Sequence, residues 1–345
     1  MSMKFLRFLL FPLSVIYNGI TTIRNLFFDW GFFKQTSFKI PVITVGNLSV
    51  GGTGKTPQIE YLIRLLGDSF KIAVLSRGYK RKTQDFVLLN DTHAAVDVGD
   101  EPLQYFNKFK NIDVAVDVNR VAGISRLIAD VSPEVVLLDD AYQHRKVKAS
   151  LSILLTKYDD LFIDDFLLPT GNLRESRSGA KRTDLILITK CPKNLTDLSK
   201  KRIIIKLKKY QKKVFFTSIT YDKKTSGDKN IFTKDLKNYQ VLLITGIANP
   251  SSLLSFLQEN KVNFKHCQFS DHHHFTDTEI EMIKREFACL SSSKKMILTT
   301  EKDYVRLKNS IGELSYLGIQ TSFLSRQEEF NLILKSHVKQ NKGFT

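Results

Sequence analysis

PVITVGNLSVGGTGKTP, residues 41 to 57, is the segment that decides the fold of this chain. A β-branched apolar run leads into a glycine-rich turn that ends in Gly-Lys-Thr, and apolar residues at helical spacing follow. Strand, glycine-rich loop and helix in this order are typical of a phosphate-binding loop, because glycines let backbone N–H groups turn toward phosphate oxygens. The segment predicts a nucleotide-binding loop; a glycine-rich connection without a ligand is the alternative.

The residue types in this loop indicate separate roles. Lys55 is placed to reach the β and γ phosphates of a nucleotide, and Thr56 to offer its hydroxyl to Mg²⁺. Ser49 stands where the general pattern has glycine. The candidate nucleotide-binding residues are Ser49, Gly51, Gly52, Thr53, Gly54, Lys55 and Thr56.

EVVLLDDAYQ, residues 134 to 143, is an apolar strand pattern that ends in the paired carboxylates Asp139 and Asp140. A core that hydrolyses nucleotides or transfers phosphoryl groups needs such a carboxylate to orient Mg²⁺ opposite Thr56. His144 follows closely, and it either faces the same edge or makes a structural hydrogen bond. The two segments together predict a site for a nucleoside triphosphate and its magnesium ion.

Strand and helix patterns alternate along the first 199 residues, which predicts an α/β fold of the P-loop NTPase type with a mainly parallel sheet covered by helices. Tyr79 follows a short strand and would reach the ligand edge of that sheet, or lie in an exposed loop. A lysine-rich run suggests a core at 34–199, a basic linker at 200–221 with two strands as one option, and a second, smaller α/β domain at 222–345. The polar tail beyond Leu334 is expected to fray.

The formal charge of +17 indicates an anionic partner. No helix-turn-helix, zinc-finger or RNP pattern is present, so nucleic acid is not the predicted partner. Residues 1–33 are rich in Phe, Leu and Ile, but the uncharged run at 8–23 is interrupted by Pro12 and is shorter than the roughly 20 residues of a membrane span. We expect an N-terminal helix that lies on a membrane surface; a helix packed on its own domain is the alternative.

Eight motifs together resemble the tetraacyldisaccharide 4'-kinase family of lipid A synthesis, and they cover nearly the whole chain in the same order. They are VGNLSVGGTGKTP, SRGY, GDEP, LLDDAYQHR, LPTGNLRES, ITGIANP, DHHHF and LTTEKDYVRL. The resemblance implies transfer of the γ-phosphoryl group of ATP, with Mg²⁺, to the 4'-hydroxyl of a tetraacylated glucosamine disaccharide 1-phosphate. It also implies a peripheral or monotopic enzyme on an anionic lipid surface, the cytoplasmic face of the bacterial inner membrane, with no obligate protein partner.

The resemblance further implies catalytic roles. It makes Lys55 the phosphate clamp, Thr56 with Asp139 or Asp140 the magnesium site, and Asp100 the base for the sugar hydroxyl. His272, which follows the acidic residue of DHHHF, would tune that base, although the other histidines of the triplet remain open. The remaining candidates for lining the site are Tyr79, Glu101, Arg120, Gln143, His144, Arg174 and Glu175.

Two other functions are compatible with a phosphate loop. One is a membrane-surface ATPase that switches conformation with its nucleotide, and the other is a kinase of a small soluble substrate. Neither accounts for GDEP and DHHHF together with the apolar N-terminus. Guanine specificity is not indicated, because Thr189-Lys190-Cys191-Pro192 lacks the aspartate of a guanine-reading loop.

Overall fold

The chain folds into two sheets with helices packed against them. The structure is a computed structural model, and it describes residues 7–79, 81–271 and 273–341. After helix α1 (Phe11–Asp29), strands and helices alternate up to residue 221. The strands are β1 (Val42–Asn47), β2 (Ile72–Ser76), β3 (Val87–Leu88), β4 (Ile112–Val116), β5 (Val135–Asp139), β6 (Leu151–Lys157), β7 (Leu185–Thr189) and β8 (Lys213–Tyr221). The helices are α2 (Lys55–Leu66), α3 (Ala95–Val98), α4 (Asp100–Lys108), α5 (Arg120–Val131) and α6 (Asp197–Leu207).

These eight strands form the larger sheet in the spatial order β8-β7-β6-β1-β5-β2-β4-β3, and one further strand extends it beyond β8. All neighbours among the eight are parallel except β3 and β4. Every residue of β1 and β5 is buried, as expected for a parallel sheet covered by helices on both faces. Val45 pairs with Asp139, so the carboxyl ends of β1 and β5 lie side by side. The predicted fold class is confirmed.

The lysine-rich segment expected as a linker belongs to the larger sheet. Residues 197–221 form α6, a short 3₁₀ turn and β8. Ile203 and Leu207 of α6 are buried, as are Phe215 and Phe216 of β8, while most of the lysines lie on the exposed side. Apolar residues at helical and strand spacing decide the structure here, because lysines can stay solvated on the opposite face.

The smaller sheet consists of β9 (Ser226–Gly227), β10 (Gln240–Thr245), β11 (Asn263–Gln268), β12 (Lys295–Thr300) and β13 (Leu314–Leu317). Its order is β11-β10-β12-β13-β9, and only the pairing of β13 with β9 is antiparallel among these described strands. The helices of this part are α7 (Ser251–Glu259), α8 (Asp277–Ala288) and α9 (Glu301–Leu307). Helix α9 directly follows β12, so its first turn lies at the carboxyl edge of the smaller sheet.

The end of the described chain returns to the larger sheet. Strand β14 (Ile319–Phe323) pairs with β8 in antiparallel orientation, and helix α10 (Gln327–Asn341) follows. Phe330, Leu334 and Val338 repeat on one helix face and are buried in the core on the α2 side of the larger sheet. The tail expected to fray is therefore an ordered helix up to Asn341, and residues 319–341 belong to the larger sheet and its core.

Candidate active site

The loop between β1 and α2 has the backbone of a phosphate cradle. Gly51 and Gly54 adopt φ angles of +99° and +88°, a region that favours glycine. Gly54 directly precedes α2, so the N–H groups at the positive end of this helix face the loop. The hydroxyl of Thr189, at the end of β7, donates a hydrogen bond of 2.7 Å to the carbonyl oxygen of Thr53. The end of a neighbouring strand thus supports the loop.

The other predicted loop residues occupy distinct places. Ser49 is buried and forms a backbone bridge with Leu173, so it fixes the loop against the segment that carries Arg174. The Lys190 Nζ lies near Gly52, 4.0 Å from the position that a Cβ atom would occupy there. A lysine that follows β7 therefore approaches the loop, which the sequence analysis did not predict.

Lys55 and Asp140 confirm that the two predicted segments meet. The Lys55 Nζ lies 3.5 Å from the Asp140 Oδ1, and the Arg174 Nη1 lies 3.2 Å from both carboxylate oxygens of Asp140. Burial by itself would raise the pKa of Asp140, but the charges of Lys55 and Arg174 hold it below its ordinary value. Asp140 is therefore a carboxylate held between two cations at the edge where the loop ends.

Asp139 has the opposite electrostatic environment. Its Oδ2 accepts hydrogen bonds from the Ser76 hydroxyl at 3.4 Å and the Tyr105 hydroxyl at 3.3 Å. Its Oδ1 is buried and has no hydrogen-bond partner among the residues that the structure describes. Burial raises the pKa of Asp139 to about 7, and the negative charges of Glu101 and Asp140 act in the same direction. Among the described residues Asp139 forms no ion pair, and the charges of Lys55 and Arg120 offset the rise in its pKa only in part.

The donors around Asp139 fit a magnesium ion. The Thr56 hydroxyl and the free Asp139 Oδ1 are oxygen ligands, which Mg²⁺ prefers, and Mg²⁺ usually takes its remaining ligands from phosphates and water. Within the described ranges, no group of three or more His, Cys, Asp or Glu side chains could hold an ion.

Further buried polar atoms along this edge lack partners in the described part of the chain. They belong to the Asn47 amide, the Thr53 hydroxyl and the Nε and Nη2 of Arg120. Burial lowers the pKa of Arg120 to about 10, and its Nη1 donates to the carbonyl oxygen of Asp117. Buried polar groups without partners cost free energy. Their concentration around one loop indicates a site built for a polar ligand.

Asp100 and Glu101 lie in the first turn of α4 and not in a loop ahead of it. Both are paired with α9, which connects β12 and β13 of the smaller sheet. The guanidinium of Arg306 donates two hydrogen bonds to Asp100, one of them 3.1 Å long. Lys302 Nζ lies 2.7 Å from Glu101 Oε1. The two predicted acidic residues thus stand where the two sheets meet.

A third ion pair connects the same helices at the other end of α4. The Lys108 Nζ lies 2.8 Å from both Glu60 of α2 and Glu301 of α9. Burial raises the pKa of Glu301, and the neighbouring charge of Glu60 adds to this effect. Lys108 therefore connects the helix that begins at Lys55, the helix that begins at Asp100 and the first residue of α9.

The histidine cluster is only partly described. His272 lies outside the described residues, so its predicted role stays a prediction. His273 stacks on Phe269 at 5.0 Å between ring centroids, and its Nε2 lies 2.9 Å from Glu279. These contacts are those of a structural histidine.

The remaining candidates divide into site-facing and supporting residues. Tyr79 is exposed beyond β2. Burial lowers the pKa of His144 to about 4, helped by the charges of Arg120 and Arg77, so His144 is neutral at physiological pH. The amide of Gln143 donates to the Asn47 carbonyl oxygen at 2.9 Å, which ties it to the phosphate loop.

Glu175 has a supporting position. Its carboxylate is buried and accepts hydrogen bonds of 3.0 and 2.9 Å from Arg182 and of 2.9 Å from Asn25 of α1. The hydroxyl of Tyr17 in the same helix donates to the carbonyl oxygen of Arg174 at 2.8 Å. These contacts dock α1 on the loop that carries two of the predicted site residues.

The opposite face of α1 is apolar and exposed. Its exposed large side chains are Phe11, Leu13, Val15, Ile16, Ile20, Ile23 and Phe27. Several polar side chains thus face the protein and most large apolar ones face outward, although Phe28 at the end of the helix is buried. This is largely the reverse of a helix packed on a core. None of the described helices is both long enough and apolar enough to span a bilayer.

Several residues of this site were not predicted from the sequence. Tyr105 and Lys108 lie one and two helical turns after Glu101, and Arg306 lies in the last turn of α9. The helical spacing would have placed Tyr105 and Lys108 on the face of Glu101. No pattern within α9 reveals that Arg306 meets Asp100, because this contact joins residues more than 200 positions apart.

Comparison with known proteins gives one consistent result. The family model described as "Tetraacyldisaccharide-1-P 4'-kinase" matches residues 6–339. A tetraacyldisaccharide 4'-kinase of Flavobacterium johnsoniae is 50% identical, over 98% of this chain and 99% of its own length. The corresponding protein of Bacteroides thetaiotaomicron is 42% identical, over 96% of this chain and 93% of its own length.

A solved structure agrees with these sequence matches. It is the crystal structure of "apo" form LpxK from Aquifex aeolicus in complex with ATP. Its sequence is 28% identical to this chain, and the two structures match with a TM-score of 0.78 over 96% of this chain and 99% of that chain. The resemblance found from the eight motifs is confirmed. With its phosphate loop, its paired carboxylates and its match along almost the full length, the chain belongs to the tetraacyldisaccharide-1-P 4'-kinase family.

Proposed function

We propose how the residues of this site divide the work of an ATP-dependent kinase that phosphorylates the 4'-hydroxyl of a tetraacylated disaccharide 1-phosphate. Membership of the family makes the chain a lipid kinase. The residue roles rest on one observation: Lys55, Asp139 and Asp140 meet at the carboxyl edge of the larger sheet, beside a loop with glycine at both of its left-handed positions.

ATP binds along the loop of residues 49–56. The backbone N–H groups before α2 hold the phosphates, and Lys55 leaves Asp140 to reach the β and γ phosphates. Arg174 then keeps Asp140 charge-compensated, since it already contacts both of its oxygens. This exchange of partners keeps the Asp140 carboxylate paired before and after the nucleotide arrives.

Thr56 and Asp139 would hold Mg²⁺, with Asp140 close by. Two features of Asp139 support this role: its Oδ1 has no hydrogen-bond partner among the described residues, and its pKa is raised. A bound cation would supply the compensating charge. When bound, the ion neutralises charge that develops on the phosphates. Ser76 and Tyr105 orient the Asp139 carboxylate through their hydroxyl groups.

Asp100 accepts the proton of the sugar hydroxyl while the oxygen attacks the γ phosphorus and ADP leaves. Arg306 fixes the orientation of Asp100 from α9. We assign the two sheets with their helices to two domains, so the base is held at a domain boundary. His272 is the predicted tuning residue for this base.

The lipid substrate requires the enzyme to work at a membrane surface. The exposed apolar face of α1 and the net charge of +17 support a peripheral position on an anionic bilayer. In the family's role in lipid A synthesis, this surface is the cytoplasmic face of the bacterial inner membrane. Because α1 contacts the loop at Arg174 and Glu175, the active site is held near that surface.

The test is incubation with ATP labelled at the γ phosphate and a tetraacylated disaccharide 1-phosphate, followed by separation of the lipid. We expect label in the lipid with the wild type and a loss of kcat of at least about a hundredfold with Asp100→Asn, since general-base catalysis contributes on this scale. The matched control is Asp97→Asn, whose carboxylate accepts a hydrogen bond from the Ala94 N–H and should keep most activity. Label only in inorganic phosphate would instead support an ATPase, and full activity in Asp100→Asn would remove this residue from the chemistry.

A further inference from the structure

Helix α6 has an apolar side that the protein leaves uncovered. Ile203 and Leu207 are buried and fix the inner side of this helix, whereas Leu198 and Ile205 remain 62% and 70% exposed. The helical repeat places these two exposed residues in line, two turns apart. Single exposed apolar residues are common on protein surfaces, but an aligned pair on the outward side of a helix is not explained by packing.

Cations flank this apolar pair on both sides. Helical spacing places Lys201 on one side of the line through Leu198 and Ile205 and Arg202 on the other, and both cationic side chains are exposed. The ion pairs that this helix forms in the described part of the chain use its other lysines. We name Leu198, Lys201, Arg202 and Ile205 the outer face of α6. Apolar residues bordered by cations are typical of a helix that lies on an anionic bilayer.

Positive charge continues past the end of this helix. Eight Lys and Arg residues and no acidic residue occur between residues 199 and 213. A bilayer surface can engage many such cations together without a specific pocket. A nucleic acid would also attract them, but its phosphate backbone is bound by cationic and polar groups and gives no partner to the exposed apolar pair. The combination therefore favours anionic lipid.

The outer face of α6 lies beside the start of α1. A cleft of about 700 Å³ is lined from one side by Arg7 and Phe8, just before α1, and from the other by Arg202, with Phe166 also in its lining. The rings of Phe8 and Phe166 meet edge to face with 5.6 Å between their centroids, and both are exposed. Exposed apolar residues therefore extend from α1 across Phe166 toward α6.

One short segment holds both helices. The Lys206 Nζ of α6 lies 2.7 Å from the Asp164 Oδ2. The Ser14 hydroxyl of α1 shares a hydrogen bond of 2.7 Å with the Thr170 hydroxyl. Both helices are thus anchored between residues 164 and 170. A bilayer that contacts the apolar face of α1 is therefore close to the outer face of α6.

Most of the acidic residues in this cleft are already engaged. Four aspartates line it. Besides Asp164, Asp160 is paired with Lys157 at 3.2 Å, and the Asp165 carboxylate accepts hydrogen bonds of 2.8 and 3.1 Å from two backbone N–H groups. These contacts limit the repulsion that an anionic surface would meet here, whereas the cations on the outer face of α6 stay available.

We propose that the outer face of α6 is a second membrane contact, which binds the anionic phospholipid headgroups of the bilayer while α1 enters its apolar part. This inference rests on the proposed position of the enzyme at a membrane, and it assigns a role to residues outside the catalytic site. A single surface helix leaves the enzyme free to rotate about the helix axis. A second contact on the same segment removes this freedom and fixes the orientation of the active site toward the bilayer.

The experiment measures flotation of the full-length protein at low salt with two kinds of vesicle: phosphatidylcholine alone and phosphatidylcholine mixed with phosphatidylglycerol. The charge variant is Lys201→Gln combined with Arg202→Gln. Its partition coefficient onto the anionic vesicles should fall about fivefold for each cation removed, and its partition onto neutral vesicles should not change. The apolar variant Ile205→Ser should lower partition onto both kinds of vesicle, by about tenfold.

The matched control is Lys223→Gln combined with Lys237→Gln, which removes the same charge from exposed positions outside α6 and should keep wild-type partitioning. An equal loss in this control and in the charge variant would overturn the inference, because net charge alone would then explain binding. So would unchanged flotation of both α6 variants. Wild-type vesicle binding by the charge variant together with weakened binding to heparin would overturn it too, because these cations would then serve another polyanion.

Failure of this inference can be told apart from failure of the proposed function. If Ile16→Asp on α1 lowers flotation and the α6 variants do not, the membrane position of the enzyme stands and the second contact is refuted. If the wild type binds neither kind of vesicle, the membrane position itself is wrong. The reaction is tested separately, because the α6 variants should label the lipid substrate in neutral detergent micelles as well as the wild type does.

Discussion

The substitution Asp139→Asn should stabilise the fold while it destroys catalysis. The Asp139 carboxyl is buried, its Oδ1 has no hydrogen-bond partner among the described residues, and its pKa is raised from 3.8 to about 7. A shift of about 3 units corresponds to about 4 kcal/mol, at 1.36 kcal/mol per unit. Asparagine keeps the shape of the side chain and an oxygen that can accept a hydrogen bond from Ser76 or Tyr105, but it carries no charge. We therefore expect the free energy of unfolding to rise by about 2–4 kcal/mol at about pH 8.

The gain must depend on pH with a defined sign. A carboxyl group with a higher pKa in the folded than in the unfolded chain binds its proton more tightly when folded. Its contribution to stability is therefore complete at low pH and is lost as pH rises from about 4 to about 7. Asp139→Asn has no carboxyl group at this position, so its stability does not fall in this way as the pH rises. The two proteins should differ most above about pH 7 and converge near about pH 4.

The assay is urea unfolding of the nucleotide-free protein, followed by circular dichroism at several pH values with a chelator present. The control is Asp117→Asn, just after β4. The Asp117 carboxylate accepts a 2.7 Å hydrogen bond from the Asn119 N–H, so this substitution should lower the free energy of unfolding. Adding Mg²⁺ and ATP should stabilise the wild type more than Asp139→Asn. A variant that is less stable than the wild type at every pH would refute the reasoning.

Three further substitutions test other parts of the site. Lys108→Met leaves Glu301 without its cation, so the free energy of unfolding measured in urea should fall by about 3 kcal/mol. The loss should be larger at alkaline than at acidic pH, because Glu301 is then charged. The control Lys110→Met, at an exposed lysine, should change the free energy of unfolding little. Lys55→Met should lower kcat/KM for ATP about a hundredfold or more in the labelling assay while the folded fraction by circular dichroism stays unchanged. Ile16→Asp on the exposed face of α1 should reduce vesicle binding in flotation without changing thermal stability; unchanged flotation would contradict a membrane role for that face.

Local pattern predicted the parts of this protein that depend on neighbours in sequence. The apolar run before Asn47 and the glycines before Lys55 specify strand, loop and helix, because strand burial and left-handed φ angles are local properties. The position of Asp139 and Asp140 beside the loop was predictable in the same way, because parallel neighbouring strands end at the same edge of the sheet. The order of such motifs was also sufficient to identify the family.

Patterns of charge were less reliable guides to packing. The lysines of residues 200–213 suggested a basic linker, and the polar tail beyond Leu334 suggested fraying, yet buried Ile203 and Val338 hold both segments on the larger sheet. A few apolar residues at the correct spacing outweigh many charged ones, because the charged side chains remain in water when the helix docks.

The sequence by itself determined the fold class, the nucleotide loop and the carboxylates at the edge of the sheet. Only the tertiary structure decided that Arg306 holds Asp100, that Lys108 joins three helices, and that α1 turns its polar face toward Arg174 and Glu175. These contacts join segments far apart in the chain, and their energies depend on burial and on the direction of side chains. Neither property is encoded in the spacing of residues along one segment, so the packing of distant segments against one another had to supply them.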